Sequence, residues 1–183
     1  MQRTKLVAAG WLAMASAAIT VPWFILLFFL EDRTGPAPKV AEAGLLLVGV
    51  FLTVYLLLAL QRLAHEKYAF READTAIGLL IKVNVVAAAV SIVGLALPQF
   101  ESALGVFGII MAVVMGIMQI VFGIRLLRLP GDLQGLHKPF CYLNIIAGIC
   151  VATIVLMPIG MVAGAVTDVM LGTIFFQAAS AVE

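Results

Sequence analysis

The sequence predicts an all-α integral membrane protein, with six transmembrane helices arranged as three helical hairpins. At least two of the hairpins read as an internal repeat. Three observations carry this expectation. Hydrophobic residues make up 64% of the 183 positions and charged residues 11%. A soluble domain is nearer half apolar and a quarter charged, so this chain lacks the polar residues to coat a water-exposed surface. The apolar residues also gather into runs that approach or exceed the ~20 residues of a membrane span, and two of these runs echo each other at a constant spacing.

The spans read, in order, as residues 6–30, 43–60, 75–97, 103–127, 140–157 and 160–179 of a single transmembrane domain. The third ends at Pro98. The stretch from Phe140 to Ala179 is too long for one crossing, and Met157-Pro158-Ile159-Gly160 divides it, because proline and glycine so close together favour a turn over a continuing helix. Arg3, Lys5 and Ala13-Met14-Ala15 have some features of a secretory leader. The apolar run continues through Phe24 to Leu30, so a retained membrane anchor is the expectation.

Basic residues orient the spans. Arg3 and Lys5, then Arg62, Lys67 and Arg71, then Arg125, Arg128 and Lys138 all fall on one side of a six-span chain. That side is expected to be cytoplasmic, with both termini on it. The other side carries Arg33 and Lys39 against Glu31, Asp32 and Glu42, and its turns at Gln99 and Ile159 lack lysine and arginine. Trp11 and Trp23 stand toward the two ends of the first span, where amphipathic rings favour the interface. The polar segments, residues 31–42 and 61–74, are too short for an extramembrane domain. Gly35-Pro36-Ala37-Pro38 reads as an irregular loop, whereas residues 61–74 combine mixed charge with good helix formers and read as an extension of span two or a surface helix.

The repeat lies in spans three and five. Residues 82–98 read KVNVVAAAVSIVGLALP and residues 142–158 read YLNIIAGICVATIVLMP. Asn84 matches Asn144, Ala87 matches Ala147 and Pro98 matches Pro158, each 60 positions apart, and each segment is followed by a short turn and another apolar helix. Residues 6–30 form a divergent third copy, with Pro22 in the equivalent place. This pattern, with Gly116 and Gly123 after Pro98 and Gly164 and Gly172 after Pro158, resembles the HdeD-type acid-resistance membrane proteins. The resemblance implies a bacterial inner-membrane stress or accessory protein without a defined reaction. The long segment at residues 31–42 departs from it.

Small residues four apart let helices approach closely in lipid. Gly108, Ala112 and Gly116 form one such stripe; Gly160, Gly164 and Gly172 form another, with Asp168 at the same spacing; Asn144, Gly148 and Ala152 form a third. These are expected to be packing seams. Asp168 is the exception in chemistry. It lies about eight residues from the outer turn, roughly 12 Å deep at 1.5 Å per residue, where a charge costs on the order of 3 kcal/mol. It must be protonated, paired, or in contact with water. As a packing residue it would be a hydrogen-bonded carboxyl locking helices together; as a functional residue it would be an ion or proton site. Lys82 is a candidate partner, although its long stem can snorkel to the surface instead. Asn84 and Asn144 complete the candidate polar site, with Gln119, Thr167 and Gln177 as further hydrogen-bonding groups.

Little else carries chemistry. Cys141 and Cys150 lie on nearly opposite helix faces and read as free packing residues; His65 and His137 read as interface residues. No metal-ligand spacing, nucleotide-binding loop or catalytic motif stands in a suitable setting. No cofactor, metal or nucleic-acid partner is expected. The expected function is therefore non-enzymatic: a stress-related or accessory component of a bacterial inner membrane, forming a homo-oligomer or joining a larger membrane complex. The alternative is a small transporter or channel for protons, ions or a small solute, using the polar site around Asp168. The two separate on whether Asp168, Lys82, Asn84 and Asn144 face one shared cavity.

Overall fold

The computed structural model describes residues 3–31, 36–97, 101–131 and 133–181. Residues 32–35, Pro98, Gln99 and the side chain of Trp23 lie outside the described set. Among the described residues six α-helices follow one another: α1 (Arg3–Glu31), α2 (Pro36–Tyr68), α3 (Asp74–Ala96), α4 (Glu101–Leu126), α5 (His137–Ala152) and α6 (Met157–Ser180). A single 3₁₀ turn, Leu133–Gly135, precedes α5. Among the described residues four helices are long and apolar enough to cross a membrane: Ala37–Tyr68, Asp74–Ala96, Ala103–Leu126 and Met157–Ser180.

Prolines shift three of the expected boundaries. Pro36 opens α2 instead of lying in a loop, and Pro158 sits in the first turn of α6 instead of ending α5. Both positions suit proline, whose fixed φ fits a helix start and whose missing N–H would have no partner there. α5 accordingly stops at Ala152, and a turn over residues 153–156 reverses the chain. Thr153 Oγ1 donates to the Cys150 carbonyl at 3.0 Å in that turn, and Ile154 takes a left-handed φ of 58°. Pro22 does not end α1, which continues to Glu31. At the other end of α2 the polar segment stays helical through Tyr68. Ala69 then turns left-handed at φ 49°, and its N–H reaches the His65 carbonyl.

Each helix backbone lies beside the two that flank it in sequence, and α1 closes the circuit on α6; among the described residues no other helix pair brings Cα atoms within 8 Å. The bundle is therefore a ring, and its two ends differ. Leu6, Leu60, Ile77, Leu126, Phe140 and Phe175 are fully buried together, at the end that also holds the α2–α3 and α4–α5 connections. At the opposite end the packing opens. In residues 37–55 of α2 and 103–115 of α4, no described residue is fully buried. The outer wall is apolar, with Phe51, Val106, Ile110, Ile146 and Val162 all exposed. An apolar perimeter on this scale fits lipid and not water.

Glycines set the closest approaches. A Cβ on Gly116 would lie 2.5 Å from the Gly148 carbonyl oxygen, and one on Gly148 would lie 2.7 Å from that of Gly116, so α4 and α5 meet backbone to backbone. Gly160 packs α6 on Cys150 and Ala147 of α5, and Gly172 packs it on Gly10 and Met14 of α1. Gly108 and Gly164 do not belong to a seam. Neither would place a Cβ within 4 Å of another element, because Gly108 is on the exposed outer wall and Gly164 borders the hollow centre of the ring.

Candidate functional site: a polar cavity inside the helix ring

Where the packing loosens, a ring whose backbones meet only around its rim leaves space at its axis. That space is a cavity of about 400 Å³, lined by residues from all six helices. Such a volume lies within the range of small-molecule sites, roughly 300–1,000 Å³. Leu60, Leu80, Phe122, Phe140 and Leu171 form the apolar part of its lining nearest the tightly packed end. Gly49, Thr53, Val151, Gly160 and Met161 line it toward the loosely packed end. Small residues keep the middle open, above all Gly164.

Polar side chains punctuate the walls. Asp168 and Thr167 come from α6, Asn144 from α5, Gln119 from α4, Asn84 from α3, Thr53 from α2, and Ser16 and Thr20 from α1. Of the candidate site residues, Asp168, Asn84 and Asn144 thus share one cavity. Lys82 does not line it; the residue is exposed on α3. Gln177 is also absent from the lining, nearer the closed end of α6. Asn84 and Asn144, 60 positions apart, make the same local bond: each Nδ2 donates to the carbonyl four residues earlier, Leu80 at 3.0 Å and Phe140 at 2.9 Å. Leu80 and Phe140 are themselves equivalent positions on the lining.

Asp168 is held by α1. Ser16 Oγ donates to its Oδ2 at 2.7 Å, across 152 positions of sequence. The same interface carries the Gly10–Gly172 approach and an edge-to-face contact between Trp11 and Phe176, with ring centroids 5.6 Å apart. Thr20 Oγ1 donates to the Ser16 carbonyl at 2.8 Å, and Thr167 Oγ1 donates to the Ala163 carbonyl at 2.8 Å. No lysine, arginine or histidine lines the cavity among the described residues. Asp168 therefore has a hydroxyl partner and no ionic one there.

Ser16 and Thr20 were not singled out from the sequence, although they are the only serine and threonine between residues 6 and 30 and stand four apart, on one helix face. Only the packing of α1 on α6 shows what that face meets.

The remaining polar groups are structural. His137, expected at an interface, is buried, and its Nε2 donates to the Leu126 carbonyl at 2.7 Å, satisfying an open acceptor at the end of α4. Asp74, in the first turn of α3, receives Gln61 Nε2 at 3.0 Å and lies 2.7 Å from His65 Nε2, a tie between α2 and α3 at a helix N-terminus where a carboxylate is favoured. Cys141 and Cys150 are free and buried. No group of three histidine, cysteine or acidic residues that could hold a metal occurs among the described residues. Comparison with protein-family models, with curated proteins and with solved structures found no match to this chain.

Proposed function

We propose that this chain is a multi-pass membrane protein that binds a small solute in the cavity of its helix ring and passes it through the membrane, with Asp168 as the anchoring charge. One observation carries the reading. Asp168, Asn84 and Asn144, drawn from three helices, open on a single cavity together with Ser16 and Thr167. A carboxyl that served only to lock helices would sit in a closed seam, as the backbones at Gly116 and Gly148 do. The reading takes α1 and α5 as spans alongside the four longer apolar helices, in three hairpins. The equivalent settings of Asn84 and Asn144 support two of those hairpins as a repeat. With Arg3, Arg62, Arg71 and Lys138 toward the cytoplasm of a bacterial inner membrane, the loosely packed end of the cavity lies toward the opposite face. No catalytic role is assigned to it.

The test is water access. Gly164→Cys, in a background with Cys141 and Cys150 replaced, puts a thiol on the cavity wall at a position with open space for a side chain. A charged, membrane-impermeant thiol reagent is expected to label it from the face opposite the amino terminus. A thiol that stays unlabelled from both faces, in protein that is folded and inserted, would leave Asp168 as a packing residue. The accessory-component reading, which needs no cavity, would then be preferred.

A further inference from the structure

The cavity has an unbalanced supply of hydrogen-bonding groups. The Ser16 hydroxyl proton is committed to Asp168, the Thr20 proton to the Ser16 carbonyl and the Thr167 proton to the Ala163 carbonyl. One amide N–H each of Asn84 and Asn144 is committed to its own helix. A hydroxyl that donates away retains only lone pairs, and an amide anchored through Nδ2 has its carbonyl oxygen available. Gln119, Thr53 and the second N–H of each asparagine bring donors as well, but with the Asp168 carboxylate and the hydroxyl and amide oxygens the capacity of the walls is weighted toward acceptors. Among the described residues Asp168 adds the only formal charge on the lining, and no basic side chain lines the cavity with it.

We infer that the cavity selects small organic cations, specifically a protonated amine carrying an apolar body; this rests on the reading of the cavity as a solute site. The ammonium group brings two or three donors and a positive charge to the Asp168 carboxylate and the oxygens of Asn84 and Asn144. Its apolar body lies against Leu60, Leu80 and the rings of Phe122 and Phe140. An aromatic face also attracts a nearby cation. A carboxylate solute meets a like charge in a low-dielectric space, and a neutral solute leaves the charge of Asp168 uncompensated.

Three near-isosteres test the inference on the purified full-length protein: 2-phenylethylamine, 2-phenylethanol and 3-phenylpropionate, with binding measured by calorimetry in detergent near neutral pH. The amine is expected to bind at least ten-fold more tightly than the alcohol, and the acid most weakly. Asp168→Asn, which keeps the size of the side chain, should remove the preference for amine over alcohol. Should that variant not be recovered folded, Gly164→Leu fills the cavity while leaving Asp168 in place, and it should abolish amine binding. Amine binding unchanged in either folded variant overturns the assignment. So does equal binding of amine and alcohol, or a preference for the acid. An absence of binding by all three, in protein whose Gly164→Cys form is labelled through the cavity, overturns the cation inference alone. Absence of both binding and labelling removes the solute-site reading as well.

Discussion

The backbone contact between α4 and α5 makes a prediction whose sign depends on the geometry. In Gly116→Ala the new methyl would fall 2.5 Å from the Gly148 carbonyl oxygen, 2.6 Å from the Ala152 nitrogen and 2.8 Å from the Ala152 Cβ. None of these atoms can rotate away, and the shortest lies nearly an ångström inside the 3.4 Å where ordinary contact begins. The two helices must separate. Overpacking of this kind costs about 1–3 kcal/mol, and alanine's helix propensity returns about 1 kcal/mol relative to glycine. The net expectation is a loss of about 0–2 kcal/mol. Gly164→Ala and Gly108→Ala add the same methyl into open space, so only the propensity gain remains, up to about 1 kcal/mol. Reversible unfolding in mixed detergent micelles, followed by circular dichroism, measures all three. Equal stabilities for Gly116→Ala and Gly164→Ala would refute the close approach of α4 and α5, and with it the tight wall on that side of the cavity.

Other expectations follow from single contacts. Ala69→Gly should stabilise the protein by about 1 kcal/mol in the same unfolding assay, because Ala69 is exposed and left-handed and glycine adopts that conformation without the Cβ penalty. His137→Ala should cost about 1–3 kcal/mol, since it strips the buried Leu126 carbonyl of its side-chain donor; a thermal melt in detergent reports the loss. Trp11→Leu should cost roughly 0.5–1.5 kcal/mol from the edge-to-face contact with Phe176. Near-ultraviolet circular dichroism of that variant shows whether the α1–α6 packing survives. For topology, an impermeant thiol reagent applied from outside should miss Lys138→Cys and reach Val155→Cys in the cysteine-free background, Val155 being 86% exposed in the α5–α6 turn.

The helices and their order were legible because apolar run length and charged punctuation report the solvent directly. The proline readings were less complete. In sequence Pro158 reads as a helix stop and Pro36 as part of a loop, yet both open helices, since a helix start tolerates proline as well as a turn does. The candidate site was legible in part. Asp168 stood out by its charge, and Asn84 and Asn144 by their repeat spacing. Spacing along one helix does not say which neighbour a face meets. For that reason Gly164 resembles Gly160 in sequence, although a Cβ on Gly160 would press on α5 and one on Gly164 would meet only open space. Lys82 and Asp168 could likewise be paired on paper, although Lys82 is outside the lining. Ser16 becomes a partner of Asp168 only when the first and last helices close the ring.

The shortness of α5 has a consequence for the surrounding lipid. Its 16 residues rise about 24 Å, less than the ~30 Å of a hydrocarbon core. The turn that follows is Thr-Ile-Val-Leu, apolar and exposed, so it has no affinity for the headgroup layer. The 33 residues of α2, by contrast, rise about 50 Å. On the proposed reading of α5 as a span, one low flank and one tall flank impose unequal thickness on the bilayer, thinning it beside the α5–α6 hairpin at a cost of a fraction of a kcal/mol per ångström of mismatch. Short-chain lipids relieve that deformation, so acyl-chain length becomes a variable that tunes this fold from outside the polypeptide.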